Sequence, residues 1–143
     1  MATPYSDVID IFLIKVSDYD LPKLEELERE EIVSSYMKSA CSKFKSCKVN
    51  LDDVNDELKQ FNQSLTFDII DIISEGMITE WLKPKVMNSE ILKNSLSTKD
   101  FSLYSPANLL KEMRETLKIS KADYRSMIND YSFKNADFTK LGG

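Results

Sequence analysis

The chain has 143 residues, 42% of them hydrophobic, with a formal net charge of −5, two cysteines and no histidine. One domain with one modest core fits that length, whereas His-dependent triads, proton shuttles and a structural zinc site are excluded. No apolar run approaches the roughly 20 residues of a membrane span, and Asp7 and Asp10 stand where a signal peptide would be basic, so a soluble, cytosolic chain is expected.

Tyr5, Val8, Ile9, Phe12, Leu13 and Val16 recur at helical spacing and predict a short amphipathic helix with a Ser6 or Thr3 cap. Ser17-Asp18-Tyr19-Asp20 reads as a turn. Leu21-Pro22 opens a second helical region, proline being tolerated in a first turn. Glutamates at 25, 26, 28, 30 and 31 crowd its start and lysines at 38, 43, 45 and 48 its end, a polarity that complements the helix dipole. Its buried stripe is Ile32 or Val33, Tyr36, Met37, Ala40 and Phe44. Cys41 and Cys47, on the same predicted helix, stand roughly 9 Å apart along its axis and face different ways, which predicts two free thiols.

Between 49 and 65 the periodicity weakens. Asp52, Asp53, Asn55, Asp56 and Glu57 suggest calcium ligands, but a loop begun at Asp53 has Leu58 where an EF-hand needs glycine and Ser64 where it needs a bidentate glutamate. An acidic loop or a capped short helix is expected instead, anchored by Leu51, Val54, Leu58 and Phe61.

Residues 66–86 are the stretch around which the rest is expected to pack. Ile69, Ile70, Ile73, Met77 and Trp81 form a helical stripe that Phe67, Ile72, Ile78 and Leu82 widen to most of the circumference, leaving Asp68, Asp71, Glu75 and Thr79 for water. Thr66 is a suitable cap and Asp68 suits the first turn. Pro84 is expected to stop or kink the helix near Lys83. Gly76 in its interior points to close approach of another helix.

Beyond Pro84, Asn88 or Ser89 can cap a short helix burying Ile91, Leu92 and Leu96, and the loop that follows holds Phe101, Leu103 and Tyr104. Ser105-Pro106 is a helix start. From there Leu110, Met113, Leu117, Tyr124, Ile128 and Tyr131 define a long last helix over about 106–130, with Ser120 in the stripe suggesting a break or a change of neighbour near Ile119. The tail carries Phe133, Phe138 and Leu141 without clear periodicity, and reads either as a frayed terminus or as an arm that docks on another subunit. The expected architecture is all-α: a compact bundle of four to six helices around a buried central helix at about 67–83, forming a single domain over 1–131, with a C-terminal arm over 132–143.

Chemistry is sparse. Glycine occurs only at 76, 142 and 143, so no phosphate-cradling loop can form, and neither cysteine has a base in view. No enzyme activity, metal or cofactor is expected. Residues 1–82 carry eight basic and 17 acidic side chains, and residues 83–143 carry eleven and seven. That imbalance is either a solvated surface or an acidic face of one copy meeting a basic face of the next. Lys111, Arg114, Lys118, Lys121 and Arg125 lie along the last helix and could face a DNA channel or another subunit, although Glu112, Glu115 and Asp123 interrupt the run.

Four stretches carry a resemblance: Tyr-Ser-Asp-Val-Ile-Asp-Ile-Phe-Leu at 5–13, Tyr-Met-Lys-Ser-Ala-Cys-Ser-Lys-Phe at 36–44, Glu-Trp-Leu-Lys-Pro-Lys-Val at 80–86 and Lys-Asp-Phe-Ser-Leu-Tyr-Ser-Pro-Ala-Asn at 99–108. Together the chain resembles, over roughly 5–131, the small helical head–tail connector (adaptor or head-completion) proteins of long-tailed bacteriophages and prophages of Gram-positive hosts. The resemblance implies a structural virion protein, made in the host cytoplasm and located at the head–tail neck. It implies a homo-oligomer, commonly a dodecameric ring, between the portal protein and a downstream neck or tail protein, with nonspecific contact to packaged DNA and none to membrane. Terminal arms would grip neighbours, which makes Tyr131, Phe133, Phe138 and Leu141 the expected interface. The alternative is a small helical regulatory protein that binds a protein or nucleic-acid partner.

Overall fold

The structure, a computed structural model, describes residues 2–17, 30–95 and 107–135, with side chains described over 2–16, 32–88 and 111–135. It is mostly helical. Among the described residues there are four helices, α1 (Tyr5–Ser17), α2 (Glu30–Lys43), α3 (Phe67–Ser95) and α4 (Ala107–Lys134), and three two-residue strands, β1 (Thr3–Pro4), β2 (Val54–Asn55) and β3 (Gln60–Phe61). Helix α3 packs against α1, α2 and α4. None of the described helices is long and apolar enough to cross a membrane.

Helix α3 supplies the centre of the core because apolar residues recur around most of its girth. Ile69, Ile72, Ile73, Met77, Ile78, Trp81 and Leu82 are all buried. Its start is capped as the sequence suggests: Ile69 N–H donates to Thr66 Oγ1 at 3.4 Å and Ile70 N–H to the Thr66 carbonyl at 3.0 Å. Phe12 of α1 meets the Trp81 ring edge-on at 6.4 Å, and Lys85 Nζ lies 5.3 Å from the same ring. Gly76 is where two other helices come close: a Cβ there would lie 2.6 Å from Tyr124 Cζ and 2.8 Å from Ala40 Cβ. The expected close approach is therefore met from α2 and α4 together.

Several expectations about α3 are corrected. The helix does not stop near Lys83 but runs through Pro84 to Ser95, taking in the stretch expected as a separate short helix. Proline removes one intrahelical hydrogen bond and crowds the Glu80 carbonyl. Pro84 itself is exposed, while Leu82 and Val86 on either side are buried and hold the helix to the core. Thr79, assigned to water, is 4% exposed. Phe67, assigned to the apolar stripe, is 84% exposed, because it lies at the helix end where Thr66 and Asp68 are exposed as well.

Residues 49–65 are neither a simple acidic loop nor a short helix. Strand β3 pairs antiparallel with β2 on one side (Val54 with Phe61, Asn55 with Gln60) and with β1 on the other (Thr3 with Phe61, Pro4 with Gln60). The polar residues that suggested calcium ligands hold this hairpin instead. Asn55 Oδ1 accepts from the N–H groups of Glu57 and Leu58, and the Asp53 carboxylate accepts from Asn62 and Gln63. Those bonds keep the Asp53 carboxyl below its ordinary range. Lys59 turns the chain with φ of 53°, a left-handed conformation that few non-glycine residues adopt. Thr3 does not cap α1: its hydroxyl donates to the Gln63 carbonyl and accepts from Leu65 N–H, tying the N-terminal strand to the start of α3.

In α2 the buried stripe is Val33, Met37 and Ala40, continued by Phe44 just past its end, with Ile32 exposed and Tyr36 half-buried. The helix ends at Lys43, so Cys47 lies beyond it; both cysteines are free. Burial pushes the Cys41 thiol up to about 12, away from the thiolate form. The predicted turn at 17–20 and the glutamates of 25–28 lie largely outside the described residues.

Candidate functional site

Helix α4 carries nearly all the described residues singled out for function. It is continuous over 28 residues, about 42 Å, with no break at Ser120. Ser120 is 1% exposed and its hydroxyl lies 2.7 Å from Thr79 Oγ1, so the two small polar residues satisfy each other inside the α3–α4 contact. Sequence reasoning missed this pair because each residue was assigned separately, one to water and the other to a break.

The inward face of α4 is Met113, Ser120, Tyr124 and Tyr131, all buried. Tyr124 OH donates to the Ala40 carbonyl at 2.6 Å. That carbonyl belongs to the last turn of α2, where no intrahelical donor remains, so the tyrosine closes the end of that helix. Tyr131, expected at an intersubunit interface, is used within the protomer. Its ring meets Phe44 edge-on at 5.0 Å, and its hydroxyl accepts from Lys48 N–H. The helix also runs to Lys134, into the segment expected as an arm, and Ser132 donates to Ser46 Oγ at 2.7 Å. Phe133 is on α4 and 72% exposed. Phe138 and Leu141 lie outside the described residues.

The five basic residues are all exposed. At 100° per residue, Lys111, Arg114, Lys118, Lys121 and Arg125 fall within an arc of about 80° on one flank of the helix. Their spacing of three and four residues holds that row over roughly 21 Å. Glu112, Glu115, Asp123 and Asp130, exposed as well, fall within a second arc of about 80° whose centre lies about 120° away. The acids thus do not interrupt the basic run, as the linear sequence suggested, but occupy the other flank. The angular count that separates the two rows needs only the residue numbers and the fact that the helix is unbroken.

On its acidic side α4 forms a cleft of about 210 Å³ with α3, lined by Asp68, Asp71 and Asp130 together with Ile72 and Met127. Lys134 stands at its end, 3.8 Å from Asp68. Elsewhere on α3 Glu80 joins two helices: it accepts from Lys43 of α2, and from Lys83 of its own helix at 3.1 Å. Burial raises the Glu80 carboxyl, but the bonds from Lys43 and Lys83 outweigh it and hold the group below its ordinary 4.5. Lys15 of α1 pairs with Asp71 at 2.7 Å and Glu75 at 3.1 Å. Among the described residues, no three acidic or sulfur side chains converge as a metal-ligand set.

No family model matches the chain, and no curated protein or solved structure matches it either.

Proposed function

We propose that the chain is a non-enzymatic structural protein, a head–tail connector of a tailed bacteriophage that assembles as a ring between the portal and the tail. The four stretches of resemblance carry this reading. Three of them coincide with α1, the end of α2 and the middle of α3, where they contribute Phe12, Phe44 and Trp81 to the core. The bundle comprises four to six helices, and the ring a dodecamer in the virion neck. Its partners are further copies, the portal protein and the next neck or tail protein, with packaged DNA passing through the channel. What supports a binding role is that Lys15, Lys43 and Glu80 hold helices together while exposed charges of both signs stand in rows on α4.

The test is the mass of the purified protein by light scattering, alone and mixed with the portal protein encoded beside it. A ring of about a dozen subunits, or a stable complex with the portal, is expected. A monomer that ignores the portal overturns the reading and favours a regulatory helical protein.

A further inference from the structure

We propose that α4 joins one copy of this chain to the next head to tail, the basic flank of one copy lying along the acidic flank of its neighbour. This rests on the connector reading only in taking the partner to be a second copy. The two rows share one helix and a similar length, 111–125 against 112–130. Within a protomer the rows adjoin only along the ridge, where Glu115 stands one turn from Lys111 and Lys118, while their outer edges face opposite ways. A neighbour related by rotation about an axis parallel to α4 presents its own α4 in parallel, which brings unlike rows side by side in nearly the same register.

Two other arrangements are disfavoured on the same residues. An antiparallel two-fold pairing sets like flanks against each other, basic on basic. A parallel face-to-face pair needs an apolar seam, whereas the ridge between the flanks is Glu115, Lys118, Ala122, Ser126 and Asn129, and the exposed apolar side chains near it, Ile119 and Phe133, stand 14 residues apart and form no continuous seam. Flank-to-flank contact therefore leaves each copy with one row given and one received, the condition for a closed ring or an open filament. It also relocates the complementary charges suggested by composition: the acidic partner is the other side of α4, not the N-terminal half of the chain.

Two full-length variants test this, Lys118→Glu with Lys121→Glu, which puts two acids in the middle of the basic row, and Glu115→Lys with Asp123→Lys, which puts two lysines in the acidic row. All four positions are exposed, so helicity by circular dichroism should match the wild type. In low-salt light scattering the wild type is expected above dimer mass, shifting toward monomer with added salt as screening sets in. Each variant alone is expected to stay monomeric and a 1:1 mixture to recover species larger than a dimer. Variants that assemble alone overturn the inference while leaving a ring by another surface intact. A mixture that stops at dimers overturns the head-to-tail geometry. A monomeric wild type that retards a DNA duplex in the same buffer overturns it in favour of phosphate contacts on the basic row. Recovery by the mixture with no binding to the portal upholds the interface and removes the connector reading.

Discussion

A methyl group added at position 76 would press on the Tyr124 ring and on Ala40 at separations that packed carbon atoms do not reach. Alanine normally gains about 0.5–1 kcal/mol over glycine inside a helix. Here the overlap outweighs that gain, because the tyrosine is fixed at its far end by the hydrogen bond to the Ala40 carbonyl. Gly76→Ala is expected to destabilise the protein by about 1–3 kcal/mol in urea titration, and an unchanged midpoint would mean that the three helices are not so close. The hydroxyl pair beside it behaves differently. Thr79→Val or Ser120→Ala alone leaves one buried hydroxyl without its partner and should cost about 1–3 kcal/mol. The double variant should cost less than the sum of the two, which a double-mutant cycle reads directly.

At the scale of the helices, Pro84 shows tertiary packing overriding a local rule. It interrupts the hydrogen-bond ladder of α3 at an exposed position while the buried residues on either side keep the helix in line. Pro84→Ala restores the missing donor to the Glu80 carbonyl and is expected to stabilise the fold by about 1–3 kcal/mol, read as a higher melting temperature. A loss of stability would mean that the proline sets a bend the packing needs. The end of α4 follows the same logic. Since Ser132 and Lys134 belong to the helix and reach Ser46 and Asp68, deleting 132–143 should lower the melting temperature by about 3–6 °C more than deleting 136–143. Equal melting temperatures would return the boundary to 131.

For the molecule as a whole, Glu80 is the ionic junction to watch, because it links α2 to α3 with only 12% of its side chain exposed. Its folded-state pKa is depressed, so the stability it contributes is present above the ordinary 4.5 and disappears as the pH falls through the lower folded value. Lys43 and Lys83 stay charged across that window. Glu80→Gln should therefore be less stable than the wild type at pH 7, with the difference shrinking toward pH 3 in parallel urea titrations. A difference that grows on acidification would reverse the assigned sign. The exposed rows of α4 contribute little to this internal account, since charges in water interact weakly. Their consequences belong to association, where salt dependence is the signature.

Much of the fold was legible in residue order alone. Helical class, the burial of Ile73, Met77 and Trp81, the Thr66 cap and the close approach at Gly76 follow from spacing and side-chain chemistry that act within a turn or two of helix. The hairpin at 54–61 was not legible, because its two strands are two residues long and their third partner, Thr3, lies 58 residues from Phe61. Thr79 and Ser120 read as polar until α3 and α4 are placed together, and Tyr131 reads as available until Phe44 covers its ring. Pro84 reads as a stop until burial on both sides is known. In each case the deciding contact comes from a residue distant in sequence, which local periodicity cannot register. The opposite charges of α4 lay in the sequence throughout, but only an unbroken helix turns their order into two separate flanks.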